Sequence, residues 1–159
     1  MPSLIVVACG APLARTTVAL ADELRGAGWE VDVIGTDASR QWLTAAQHQE
    51  VPRRPDAVVV CPLSFNTANK LASGVSDTHV MGLLNESLGA GIRMVAVPMV
   101  NESLWRHPVW PATLHRLSSS GVQWISPIDG SGDAQPVPHG SGDAIADAFD
   151  VRWVTDALG

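Results

Sequence analysis

The chain has 159 residues, 46% of them hydrophobic, with 10 Lys and Arg against 16 Asp and Glu for a net charge of −6. That length and apolar content fit one domain with a real core, and exclude a disordered chain or one that needs disulfide or metal staples. An acidic chain without a basic run is not expected to bind nucleic acid or an anionic membrane, and no apolar stretch reaches the ~18 residues of a membrane span.

Leu4 to Cys9 is a continuous apolar run closed by Gly10, the pattern of a strand buried on both faces. The opening residues Met1 to Val7 lack a basic segment, so they are read as that strand and not as a signal peptide. Pro12 to Arg25 carries Leu13, Thr17, Leu20, Ala21 and Leu24 at helical spacing, with Pro12 tolerated at the first position and Gly26 and Gly28 marking the stop. Trp29 to Ile34 alternates and reads as a second strand; Ala38 to Gln47 reads as a short helix, ended before Pro52 and Pro55. Ala57 to Cys61 is the third strand, followed by helical stretches Thr67 to Ala72 and Val80 to Leu88 with a break at Gly74. Ile92 to Val97 is the fourth strand, Pro111 to Leu117 a helix stopped by Gly121, and Val122 to Ile125 the fifth strand. From Pro127 to Asp143 the chain is rich in Gly, Ser, Asp and Pro and reads as a mobile loop of the lid type, with a final helix over Ala144 to Leu158.

Strands alternating with helices predict an α/β fold: a Rossmann-like three-layer open parallel sheet with helices on both faces, formed by residues 1–159 as one domain. In such sheets ligands sit beyond the carboxyl ends of the strands, near the point where strand order reverses. Four segments fall there. Gly10-Ala11-Pro12 lets a ligand approach the backbone and the next helix offers N–H groups to an anion, or it is an ordinary strand–helix turn. Thr36 and Ser39 supply hydroxyls for a phosphate, or Thr36 caps a helix. Ser64, Asn66 and Thr67 supply hydroxyl and amide partners for a phosphate or the polar edge of a heteroaromatic ring. Asn101, after Pro98-Met99-Val100, has a neutral amide suited to a carboxylate, or it caps the following turn. Cys9 and Cys61 each end an apolar run and form no CxxC motif, which predicts buried, reduced thiols in a cytoplasmic protein.

At the last two of these segments the chain resembles the homo-oligomeric flavin-containing cysteine decarboxylases. The flavin motif of that family, Pro-Ala-Ser-Ala-Asn-Thr, is matched by Pro62-Leu63-Ser64-Phe65-Asn66-Thr67, and its Lys-x-Ala-x-Gly-x-x-Asp pattern by Lys70, Ala72, Gly74 and Asp77. Its substrate clamp, Pro-x-Met-Asn-x-x-Met-Trp, becomes Pro98, Val100, Asn101, Leu104 and Trp105. Family members place a His fourteen residues before the Pro of the flavin motif, which here is His48. The nearest branches are the peptidyl-cysteine decarboxylases of the epidermin and mersacidin type and the phosphopantothenoylcysteine decarboxylases.

The resemblance implies FMN as cofactor, held by Gly10, Ala11, Thr36, Ser39, Ser64, Phe65, Asn66, Thr67 and Met99, with His48 and Asn101 catalytic. It implies oxidative decarboxylation. The cysteine β-carbon gives hydride to FMN, the resulting thioaldehyde serves as electron sink, and carbon dioxide leaves to give an enethiol. His48 would handle the thiol proton and Asn101 would hold the substrate carboxylate. The family also implies a homotrimer or homododecamer with flavin sites at subunit contacts.

The departures are specific. The first turn lacks the hydroxyl of the family's Gly-Ser-x-Ala, Phe65 replaces a small residue and is expected to reshape the pocket, and Thr113 stands where an Asn is common. In the late loop, phosphopantothenoylcysteine decarboxylases carry Ala-Cys-Gly; here the segment is Pro138-His139-Gly140, and no Cys follows Cys61. Without that Cys the expected product is the enethiol, on the C-terminal cysteine of a ribosomally made peptide. The alternatives are phosphopantothenoylcysteine decarboxylation with His139 as proton donor, and a flavin-binding regulatory member without activity.

Overall fold

The computed structural model describes residues 1–43 and 54–159. The strands are β1 (Ser3–Ala8), β2 (Glu30–Gly35), β3 (Ala57–Leu63), β4 (Arg93–Pro98) and β5 (Gln123–Trp124). They form one sheet in the order β2-β1-β3-β4-β5, with every pairing parallel. The fold is therefore the Rossmann-like α/β sheet that the sequence predicts. The chain steps outward from β1 to β2 and returns to β3 on the other side of β1, so strand order reverses between β1 and β3.

The continuous apolar runs follow from burial on both faces. Alternate residues of β1 enter different cores: Leu4 and Val6 join one, Ile5 and Val7 the other. The first core is covered by α1 (Thr17–Gly26), which buries Thr17, Leu20, Ala21 and Leu24, and by α7 (Arg152–Leu158), which buries Val154 and Leu158. The second is covered by α2 (Phe65–Ser73), α3 (His79–Gly89) and α5 (Trp110–Ser119), whose buried residues recur at three- and four-residue spacing.

Several elements differ from the sequence reading. The helix expected over Pro12 to Arg25 is a 3-10 turn, Pro12–Thr16, leading into α1. The helix expected from Ala38 is a 3-10 turn over Asp37–Gln41, and its continuation to Gln47 lies outside the described residues. A short helix, α4 (Glu102–Trp105), follows β4 because the Asn101 side chain caps it. The single terminal helix is two, α6 (Gly142–Ala148) and α7. Phe149 is extended between them, and the Asp150 carboxylate accepts from the Arg152 N–H at 3.0 Å to start the second.

The segment after β5, expected as a mobile loop, is laid across the carboxyl end of the sheet. Ser126 N–H donates to the Ser131 carbonyl at 2.7 Å, and Val137 N–H donates to the Val100 carbonyl at 2.9 Å, forming an isolated parallel bridge between Asn101 and Val137. Gly142 then meets the first 3-10 turn so closely that a Cβ there would sit 2.7 Å from Pro12 Cγ. Arg15 holds the same junction through Asp143, at 3.1 Å, and Asp147.

Arg93, at the start of β4, donates to the carbonyls of Leu158 at 2.6 Å and Ala157 at 2.5 Å. A cation on the last carbonyls of a helix opposes its negative end. Arg93→Ala is expected to destabilise the chain by about 1–2 kcal/mol through loss of these charge-assisted bonds, read from denaturant melts.

Candidate functional site

Two clefts open at the carboxyl ends of β1 and β3, where strand order reverses. The first, about 510 Å³, is lined by Gly10, Thr36, Asp37, Ala38 and Arg40 on one side. Ser64, Asn66, Thr67 and Lys70 of the β3–α2 segment and Thr78 to Met81 at the start of α3 form the other. The second, about 430 Å³, is lined by Gly10, Ala11 and Pro12, by Ser64, Phe65 and Asn66, by Met99, Asn101 and Leu104, and by the 137–140 segment as its roof. Gly10, Ser64 and Asn66 line both and form the shared wall.

The first cleft presents groups that can hold an anion. The first turns of two helices line it, α2 of nine residues and α3 of eleven. The first-turn N–H groups of a helix have no partner within it and carry the positive end of its dipole. Ser64 Oγ accepts from Thr67 N–H at 3.2 Å and Thr78 Oγ1 from Met81 N–H at 3.1 Å, which fixes both helix starts. Thr36 does not cap the turn that follows it. Its Oγ1 is buried with no hydrogen-bond partner among the described residues, at the edge of the cleft. A buried hydroxyl without a partner is costly, and a bound acceptor would satisfy it.

Gly10 has no room for a side chain: a Cβ would lie 2.8 Å from the Ala38 carbonyl oxygen. Its bareness lets the turn after β2 close against the end of β1. Ser39, expected beside Thr36, faces inward; its hydroxyl donates to the Thr36 carbonyl at 2.6 Å and it lines neither cleft.

Lys70, singled out in the sequence only as part of a spacing pattern, lines the first cleft and pairs with Asp77 at 2.8 Å. The hydrogen bond from Lys70 holds the Asp77 carboxyl below its ordinary range. Because the folded value is the lower one, this pair contributes above the ordinary carboxylate range and its contribution is lost as pH falls through the depressed value. Arg40 and His79 also line this cleft and were not singled out. The signal for His79 was the helix start Thr78-His79-Val80, one residue earlier than the apolar spacing alone places it.

The second cleft is largely apolar. Phe65 forms part of this wall: its ring lies 5.4 Å from Trp110 and 5.5 Å from His107, and Trp105 lies 5.4 Å from Trp110. Thr113, in place of the family's Asn, donates to Asn69 Oδ1 at 2.6 Å and ties α5 to α2. Asn101 caps α4, its Oδ1 accepting from Leu104 N–H at 3.0 Å. That use of the oxygen directs the amide so that the two N–H donors remain for a ligand. His139, in the roof, has Nε2 2.9 Å from Ser103 Oγ. His48 lies outside the described residues.

Cys9 directly follows β1, is buried, and its N–H donates to the Pro62 carbonyl at 3.1 Å. Burial pushes its thiol up, against the smaller opposing effect of the Thr67 and Ser64 hydroxyls. Cys61 is also pushed up, by burial and by the neighbouring Cys9. Thiolates are the reactive form, so neither thiol is expected to react with a thiol reagent near neutral pH in the native protein, and both are expected to react after denaturation. Mass spectrometry of the labelled chain checks this.

Comparison with known proteins places the chain in a family and matches its fold. Residues 3–139 match the sequence profile of the flavoprotein family. A coenzyme A biosynthesis bifunctional protein, CoaBC, from Thermococcus kodakarensis is 30% identical over 91 residues, which is 57% of this chain and 22% of that protein. This chain thus matches less than a quarter of the length of that relative. Among solved structures, a dodecameric FMN-dependent Ubix-like decarboxylase from Escherichia coli O157:H7 superposes with a TM-score of 0.74 at 22% identity, covering 99% of this chain and 94% of that one. The FMN-dependent cysteine decarboxylase SpaF superposes with a TM-score of 0.69 at 20% identity, covering 99% and 98%. The profile match spans both strand-end motifs and the switch point between them, and on that ground the chain belongs to the flavoprotein family.

Proposed function

We propose that this chain is an FMN-dependent cysteine decarboxylase acting on the C-terminal cysteine of a ribosomally made peptide. The observation that carries the reading is the paired site. A cleft of anion-binding donors shares the wall Gly10, Ser64 and Asn66 with an apolar cleft that presents the Asn101 amide. The buried Thr36 hydroxyl, unpartnered among the described residues, the two helix starts and Lys70 and Arg40 suit the phosphate of FMN, and Ser64, Asn66 and Thr67 suit its polar ring edge. Ala11, Phe65 and Met99 add apolar surface beside that wall. The residues present therefore fit the cofactor, although Ser39, turned inward, takes no part.

FMN, when bound, supplies the two-electron oxidation that turns a cysteine into a thioaldehyde able to lose carbon dioxide. The chain's residues bind and orient. Asn101 offers amide N–H donors to the substrate carboxylate without placing a charge beside it. The 137–140 segment lines the second cleft together with the shared wall and serves to hold the cysteine against it. His48 remains in the proposal as the residue that organises the thiolate, and His48→Asn is expected to keep the flavin and lose turnover by ~10²–10⁴-fold in a steady-state assay. Assembly as a homotrimer or homododecamer belongs to the same proposal.

A second reading, decarboxylation of phosphopantothenoylcysteine, is favoured by the similarity to the coenzyme A biosynthesis protein. The absence of any Cys after Cys61 favours the peptide reading. Product analysis separates the two. A peptide that loses carbon dioxide and two hydrogens supports the first. Conversion of phosphopantothenoylcysteine to the saturated thiol, with peptides untouched, supports the second. No change in either substrate by the FMN-loaded protein contradicts both.

A further inference from the structure

We propose that Asp77 and Asn85 are positioning residues for the first cleft: they hold the start of α3 opposite the start of α2, so that both helix starts act on one phosphate. The proposal rests on the FMN reading above and deepens it. Neither residue lines the cleft, so neither belongs to the set that would touch the cofactor.

The ground is the turn that joins the two helices. α2 is closed by Gly74 in the left-handed region, with φ at 71°, and α3 is capped by Thr78. Val75, Ser76 and Asp77 lie between and are exposed, so burial does not hold them. Polar bonds do. On the α2 side, Val75 N–H donates to the Lys70 carbonyl at 2.9 Å and Gly74 N–H to the Leu71 carbonyl at 3.3 Å. These fix the chain as it leaves α2, in the manner of a left-handed helix end. Lys70 Nζ then reaches forward to Asp77 at 2.8 Å and closes the turn on the residue directly before the α3 cap.

Asn85 holds the other side. From the second turn of α3 its amide donates to the Val75 carbonyl and to the Met81 carbonyl, both at 2.9 Å. Met81 is also the residue whose N–H the Thr78 hydroxyl caps at 3.1 Å. The first turn of α3 is therefore tied to the turn before it, and that turn is tied by Asp77 to α2.

The consequence for an anion follows from distance. The attraction of a helix start is confined to its first turn, so its value depends on where that turn lies. An ion pair as exposed as Lys70 and Asp77 adds little to folding stability. Its loss should therefore show in phosphate recognition more than in unfolding. The sign is diagnostic. Asp77→Asn removes a negative charge beside Lys70, and by Coulomb attraction alone it would tighten the binding of an anion. A positioning role weakens it.

The test is fluorescence titration of the flavin-stripped full chain with FMN and with riboflavin, which lacks the phosphate. Wild type, Asp77→Asn, Asp77→Glu and Asn85→Ala are compared, with denaturant melts of each. Wild type should bind FMN more tightly than riboflavin. Asp77→Asn and Asn85→Ala should each lower FMN affinity by about 3- to 30-fold, leave riboflavin affinity unchanged and barely move the melt of Asp77→Asn. Asp77→Glu, which keeps the carboxylate, should restore most of the FMN affinity.

Unchanged or tighter FMN binding by Asp77→Asn overturns the proposal alone, and unchanged binding by Asn85→Ala overturns the role of that residue. Equal losses for FMN and riboflavin overturn it too, because the tie would then serve the fold and not the phosphate. A wild type that binds neither flavin, or binds both equally, overturns the placing of the FMN phosphate in this cleft and the proposal with it.

Discussion

Trp110→Ala is expected to destabilise the folded chain by about 3–5 kcal/mol, the range for emptying a fully buried large aromatic site. Trp110 is 1% exposed and starts α5, where it closes the second core over the end of the sheet. Its ring is 5.4 Å from both Phe65 and Trp105, so removing it also takes the support from the aromatic wall of the second cleft. The indole Nε1 is buried without a partner among the described residues. Trp110→Phe therefore removes volume and an unsatisfied donor together, and its cost should be clearly smaller than that of the alanine variant. Denaturant melts of the two variants measure the difference. Equal losses would mean that the indole nitrogen is satisfied in solution, and a loss under about 1 kcal/mol for Trp110→Ala would contradict the packing described.

Gly10→Ala is expected to cost about 1–3 kcal/mol in stability and to weaken FMN binding more than tenfold. The added Cβ would lie 2.8 Å from the Ala38 carbonyl oxygen and 2.9 Å from its carbon, and these are backbone atoms that no rotamer change can move aside. The 3-10 turn Asp37–Gln41 must shift, and with it Thr36, Ala38 and Arg40, which line the first cleft. Gly26→Ala is the matched control. A Cβ there meets nothing within 4 Å, and alanine at the end of α1 is expected to be neutral or slightly stabilising. Melting curves and FMN titration of both variants check the pair, and equal behaviour of the two would show that close packing at Gly10 does not shape the cleft.

The legible parts of this chain were those where one local pattern dominates. β1 after Ser3, β3, and β4 after Arg93 are apolar runs because both faces of the sheet are covered, and the strand-end rule then located Gly10, Thr36, Ser64 and Asn101 at the clefts. Ser39 misled because its place depends on the kind of turn. In a 3-10 turn its hydroxyl reaches back to the Thr36 carbonyl three residues earlier. The terminal helix read as one because Ile145, Ala148, Phe149 and Val154 keep helical spacing across a break that the Asp150 carboxylate imposes. The pairing of Ser103 with His139, thirty-six residues apart, depends on the bridge between Asn101 and Val137 and has no local signature. His79 had a local signal in the helix start at Thr78, but its place at a cleft comes from α3 starting at the rim of the cleft at the ends of β1, β2 and β3.

The visible absorption spectrum of the purified protein, followed by that of the supernatant after denaturation, tests the central claim most directly. The account predicts flavin bands in the native protein, or on addition of FMN, and free FMN released when the fold is lost. A colourless protein that also binds no added FMN would contradict it.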